Sequence, residues 1–169
     1  MKFAAILLLA ILTHCGYHVA GKADLLPASI RTIAVPAFGN PTIRYKLNDR
    51  MPQAIAREFI TRTRYRVVNN PGEADAVLQG AILNYTSYPT IYDDKTGRAN
   101  VADLNVTVQV TLTERATGRV LYQAASLDVT ERYQISPVAA EYFEESDFAL
   151  RRASEQVARR VVTAVLENF

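Results

Sequence analysis

Asp103-Leu104-Asn105-Val106-Thr107-Val108-Gln109-Val110-Thr111-Leu112-Thr113 alternates aliphatic and polar side chains without a break. Successive side chains of a strand point to opposite faces, so this period predicts a strand with one buried face (104, 106, 108, 110, 112) and one wet face. Asp substituted at 108 should be ruinous and at 107 harmless. Arg115-Ala116-Thr117-Gly118 follows, a tight hairpin in which Gly118 supplies positive φ. Val120 to Tyr133 returns as the partner strand. Its apolar parity passes from Tyr122 and Ala124 to Leu127 and Val129, which predicts a bulge near 124–126. Upstream, residues 93–100 form a polar loop, and Ala76 to Tyr92 reads as one long extended stretch. In it Gly80 should mark a bend and Pro89 the end of pairing.

Farther out the period changes. Leu47, Met51, Ile55 and Phe59 recur every four residues between Thr42 and Thr63, an amphipathic helix. Pro52 lies inside it, so the helix should either start late, behind Asp49, or kink; the kinked or two-part form is expected. A second helix runs from about Glu144 to Glu167, with Phe148, Leu150, Ala153, Val157, Val161, Ala164 and Val165 on one stripe. Ile33, Val35 and Ala37 alternate in a strand from Ile30 to Phe38 that carries Pro36, and Tyr65 to Val68 is a short strand. Tyr17 to Ala20 is a further extended segment. The expected fold class is α+β: a two-layer sandwich with both helices on one face of a mainly antiparallel sheet of four to five strands. The other face, with Asn105, Thr107, Gln109 and Thr111, is left without a cover.

The chain of 169 residues is 49% hydrophobic, with 19 Lys and Arg against 17 Asp and Glu. That composition suits one globular domain, and the near balance of charge excludes general affinity for nucleic acid. Lys2 precedes an apolar run, Phe3 to Leu12, about half the ~20 residues that span a bilayer. A short cationic region and a short apolar run read as an export signal. Leu12-Thr13-His14-Cys15-Gly16 then resembles the lipobox of bacterial lipoproteins, with the chain's one cysteine at the acylated position and His14 where the pattern carries a small residue. Residues 1–14 are thus expected to be removed, leaving 15–169 as a single mature domain anchored at Cys15. The alternative is a cleaved secretory signal with an incidental cysteine. Gly16 is not the Asp that marks retention in the inner membrane of enterobacteria, so the implied destination is the inner face of an outer membrane.

Catalysis has little to work with. His14 and His18 are the two histidines, and no nucleophile elbow, zincin, paired-cysteine or phosphate-loop pattern occurs. No enzyme activity, cofactor or metal is expected. The basic residues are the candidates: Lys95 and Arg98 in the 93–100 loop, Arg115 and Arg119 at the hairpin. The two pairs lie at opposite ends of one strand and cannot form one cluster.

Cys15-Gly16-Tyr17-His18-Val19, the lead Leu26-Pro27-Ala28-Ser29-Ile30 and the helix segment 152–159 resemble the LptE family of outer-membrane lipopolysaccharide-assembly lipoproteins. The resemblance implies a lipoprotein inside the lumen of a β-barrel translocon, assisting its assembly and the insertion of lipopolysaccharide in the outer leaflet. A polar sheet face suits a polar barrel interior. Lipopolysaccharide or partner contacts are then expected from Lys95, Arg98, Arg115, Arg119, Asn105 and Thr107. Arg31 to Phe38, Arg64 to Val68 and Ala74 to Gly80 also resemble outer-membrane lipoproteins that activate a peptidoglycan synthase or form a secretion pore.

Overall fold

The structure, a computed structural model, describes residues 26–42, 46–136 and 139–167. Cys15, the expected signal segment and the extended segment expected at Tyr17 to Ala20 lie outside the described residues. Five strands, β1 (Thr32–Ala34), β2 (Arg66–Val68), β3 (Ala76–Tyr92), β4 (Ala99–Glu114) and β5 (Val120–Gln134), form one sheet in the order β2-β1-β3-β4-β5. Two helices, α1 (Leu47–Arg62) and α2 (Ala139–Glu167), complete the α+β fold.

The sheet is mixed, not mainly antiparallel: β1 runs parallel to both β2 and β3, while β3, β4 and β5 alternate in direction. The reason lies in the connection. α1 stands between β1 and β2, and a helical crossover carries the chain back to run the same way, whereas a tight hairpin reverses it.

β4 meets the expected alternation in full. Leu104, Val106, Val108, Val110 and Leu112 are completely buried, and the residues between them are half-exposed. They share one core with Leu47, Met51, Ile55 and Phe59 of α1 and Leu150, Ala153, Val157, Val161 and Val165 of α2. Phe148 departs from the expected stripe. It is half exposed, and the Arg151 guanidinium lies over its ring, 5.1 Å from the centroid. α2 also begins earlier than expected, at Ala139.

The neighbours of β4 accommodate its rigid pattern by bulging. Between β4 and β5 the register shifts where Val108 pairs with Leu127 and Val110 with Ala124, within the stretch that the parity change marked. On β3 the extra residue is Leu83: Ile82 pairs with Val108 and Asn84 with Thr107. Leu78 and Ile82 face the core before it; after it the parity inverts and Tyr85 packs there. Pro89 does not end pairing, which continues through Ile91–Val101 and Tyr92–Ala99.

Gly80 has a different job from the expected bend. The Phe38 ring lies so close that a Cβ at 80 would overlap its Cε2 and Cζ atoms. On its other side β3 pairs with β1 only at Ala76 and Val77, and with Gly39 at Ala81. Among the described residues, Asn84–Tyr92 is therefore paired on one side only.

Pro52 neither delays α1 nor splits it. The helix runs from Leu47 with Pro52 buried inside. Proline has no N–H for the carbonyl four residues back, and that carbonyl, of Asn48, instead accepts from the Phe38 N–H at 2.9 Å. The missing helical bond thus becomes the tether of the segment after β1, itself shorter than expected. Further ties join the helices to each other and to β5: Arg50 to Asp147 at 2.7 Å, Arg62 to the Thr163 hydroxyl at 2.6 Å, and Glu131 to Arg152 at 3.1 Å and to the Gln156 amide.

Two outcomes are expected. Val108→Asp buries an unpaired charge and should cost on the order of several kcal/mol, read as a large fall in Tm or failure to fold. Gly80→Ala should cost about 1–3 kcal/mol by overpacking, and a second change, Phe38→Leu, should recover part of the lost Tm by making room for the new methyl.

Candidate functional site

The sheet face away from the buried side chains of β4 is a polar ladder. Asp103 stands opposite Arg132, Asn105 opposite Thr130 and Thr107 opposite Asp128. Each pair is bonded. Arg132 grips Asp103 with two N–H donors at 2.7 and 3.0 Å, the Thr130 hydroxyl donates to Asn105 Oδ1 at 2.5 Å, and the Thr107 hydroxyl donates to Asp128 Oδ1 at 2.6 Å. The Arg132 guanidinium holds the Asp103 carboxyl below the usual carboxylate range. On the β3 side the same rows continue with Tyr88, Thr86 and Asn84. This face is hydrogen-bonded within itself and nearly neutral, so it offers a partner shape and polarity more than charge. It also alters one expectation: Asp at 107 would meet Asp128 across the ladder, and like charges directly opposite destabilise a strand pair.

Lys95 and Arg98 sit in the β3–β4 turn, which Asp93 organises. Its Oδ1 accepts from the Lys95 N–H at 3.0 Å, the Thr96 N–H at 2.7 Å and the Thr96 hydroxyl at 2.8 Å. These bonds, led by the Thr96 hydroxyl, lower the Asp93 pKa. Gly97 closes the turn at φ +66°. Arg98 lines an open cleft of about 420 Å³ with Asp93, Thr96, Asn100, Ile135 and Ser136, so the end of β5 contributes as well. The side chains of Lys95 and Arg98 are exposed. The structure brings these two together on one turn, with Asn105 and Thr107 on the strand that leaves it.

Arg115 and Arg119 are elsewhere and otherwise engaged. They lie at the far end of β4, about 50 Å away at the rise of a strand. Arg115 Nε donates to the Ala74 carbonyl at 2.6 Å, and Arg119 pairs with Glu114 at 3.6 Å. Glu114 in turn accepts from the Ser29 hydroxyl at 3.0 Å and the Thr117 hydroxyl at 2.6 Å. Arg115 thus ties the hairpin to the segment just before β3, and Arg119 pairs within the hairpin itself.

Asp75, absent from the sequence-based candidates, is the hub of that end. Its Oδ2 accepts from the Arg31 N–H, the Thr32 N–H and the Thr32 hydroxyl at 2.8–2.9 Å, while its own N–H donates to the Thr32 hydroxyl. Its partners lie 43 and 44 residues away, beyond any local spacing rule. The bonds from Arg31 and Thr32 lower its pKa below the ordinary 3.8. A lowered carboxylate pKa adds stability that is complete above the unfolded value and is lost as pH falls through the folded one. The Tm advantage of the native chain over Asp75→Asn should therefore be constant above about pH 5 and shrink as pH drops below the ordinary carboxylate range. An advantage that grows in acid would contradict this role.

Among the described residues no cluster of His, Cys, Asp and Glu could hold a metal ion, and no helix is long and apolar enough to cross a membrane.

Solved structures share this fold at low identity. Lipoprotein B from Nitrosomonas europaea is 20% identical, with 90% of this chain and 96% of that one covered at a TM-score of 0.52. Rare lipoprotein B from Shewanella oneidensis is 12% identical, with 80% and 94% covered at 0.51. A point variant of the PelC dodecamer from Paraburkholderia phytofirmans is 18% identical, with 86% and 95% covered at 0.53. No curated protein sequence matches. The family model described as LptE, lipopolysaccharide-assembly, matches residues 30–165. That span takes in all five strands and nearly all of the second helix, and it makes the chain a member of the lipopolysaccharide-assembly LptE family.

Proposed function

We propose that the chain is an outer-membrane lipoprotein, cleaved after residue 14 and acylated at Cys15, whose domain of residues 15–169 fills the lumen of a β-barrel lipopolysaccharide translocon and assists its assembly. The family match over residues 30–165 carries this reading. The polar ladder supports it. We infer that α1 and α2 cover the core face of the sheet, as a two-layer sandwich, and leave the opposite face, Asn105 and Thr107 included, to a partner. A barrel interior is polar and wet, and a face of Thr, Asn and paired Asp–Arg groups meets such a wall at little desolvation cost. In the same reading Lys95 and Arg98 approach lipopolysaccharide phosphates, where a guanidinium makes strong charge-assisted bonds. Arg115 and Arg119, tied down by Ala74 and Glu114, are assigned to the fold in preference to contact. No catalytic role is assigned to any residue.

Lys95→Glu combined with Arg98→Glu reverses two charges on an exposed turn. Stability should change by no more than about 0.5 kcal/mol per site, as for surface changes generally, while barrel assembly or lipopolysaccharide binding falls about tenfold or more for two lost charge-assisted contacts. Photocrosslinking in cells from position 95 or 107 should capture the barrel protein. The likeness to PelC, solved as a dodecamer, favours one rival reading, self-assembly; adducts only to a second copy, or only to a peptidoglycan synthase, would replace the barrel with that partner. Cys15→Ser should abolish incorporation of a fatty-acid label.

A further inference from the structure

β5 is the last strand of the sheet, so among the described residues one side of its backbone has no strand beside it. Which residues turn that way follows from the register. The Ile135 N–H donates to the Asn100 carbonyl, and an antiparallel pair exchanges both backbone bonds at every second position. From Leu127 to Gln134 the register with β4 runs without a shift. Odd-numbered residues there bond to β4, and Asp128, Thr130 and Arg132 turn their N–H and C=O groups to the edge.

Such a row is a template for another strand, and here α2 reaches over it. Arg160 donates to the Asp128 carbonyl at 2.7 Å, and Arg152 donates to the Arg132 carbonyl at 3.1 Å. The two arginines are about 12 Å apart along the helix, and residues 128 and 132 are about 13 Å apart along the strand, so helix and edge match in spacing. Glu131 holds Arg152 there, accepting from its Nε at 3.1 Å and from the Gln156 amide.

The edge is also complementary to itself. A second β5 laid antiparallel and centred on Thr130 would set Asp128 of each copy opposite Arg132 of the other. Opposite charges so placed stabilise a strand pair, and all three residues are exposed. Each copy would extend the row in which Arg132 already grips Asp103.

We propose that the outer edge of β5 is a latent pairing site for a second copy of this chain, held shut by the guanidinium groups of Arg152 and Arg160. These groups occupy two of the carbonyls that an added strand would need. The proposal is independent of the barrel reading, since it rests only on the contacts between residues 128–132 and α2.

The test follows self-association of the full chain in a dilution series by sedimentation velocity, with amide exchange to locate the contact. Arg152→Ala with Arg160→Ala should associate several-fold more tightly than the native chain, and the amides of 128, 130 and 132 should slow several-fold in the associated form. Arg151→Ala with Arg159→Ala, which removes the same charge from the same helix, should behave as the native chain does. Thr130→Pro added to the first pair removes an edge N–H without touching the bonds to β4 and should restore the native behaviour. Association unchanged in the first pair, equal in the control pair or kept by the proline would overturn the proposal. So would protection that falls on 84–92 instead of 128–132, or edge amides already protected by association of the native chain. Where the first pair fails to fold, Arg160→Ala alone carries the test: a smaller gain in association with the same protected amides supports the guard, and no gain rejects it.

Discussion

Everything in this sheet answers to β4. Five aliphatic side chains on alternate positions are fully buried, and a slip of one residue would turn all five to the opposite face. The strand has no slack, so its neighbours supply it. β3 takes an extra residue at Leu83 and β5 takes one between Ala124 and Leu127. These bulges let two strands of irregular pattern lie on either side of a regular one. They also let Tyr85 and Tyr133 reach the core side, where the Ser87 and Tyr133 hydroxyls share a hydrogen bond at 2.9 Å.

The features legible in the sequence were those written in local period. The β4 alternation, the every-fourth-residue row from Leu47 to Phe59, the hairpin at Gly118 and the bulge at 124–126 all express themselves within a few residues. Parallel pairing of β1 does not, because a strand of three residues carries no period from which to read a neighbour's direction. Gly80 drew attention as a bend because a lone glycine in a strand often marks one; its real constraint is the Phe38 ring, distant in sequence. Phe148 fitted the α2 stripe by spacing, yet its ring meets Arg151 instead of the core. The candidate site divides in the same way. That Lys95 and Arg98 share one turn follows from adjacency, whereas the engagement of Arg115 with Ala74 depends on a contact across 41 residues.

Charge is distributed to keep the broad surface quiet. On the open ladder Arg132 and Asp103 neutralise each other, and Asp128 is occupied by the Thr107 hydroxyl. Exposed cations stand off this ladder, among them Lys95 and Arg98 at the 93–98 turn. A face whose polar groups are bonded to one another in this way leaves few side chains to be desolvated unpaired when it is covered. Pro52 works to the same end within the core. By leaving the Asn48 carbonyl to Phe38, it links α1 to the ring that presses on Gly80.

The outer half of β3 has a consequence for the life of the protein before it meets any partner. From Val77 to Tyr92 the chain carries no charged residue, and from Asn84 onward its backbone is bonded on one side only among the described residues. Tyr88, Ile91 and Tyr92 stand exposed along it. Such a rim is a template for strand addition between copies, and Pro89, with no N–H to offer, is the main interruption it contains. The half-life of a solitary molecule would then be set by crowding: the more copies wait unaccompanied, the faster they would be lost to strand-to-strand association.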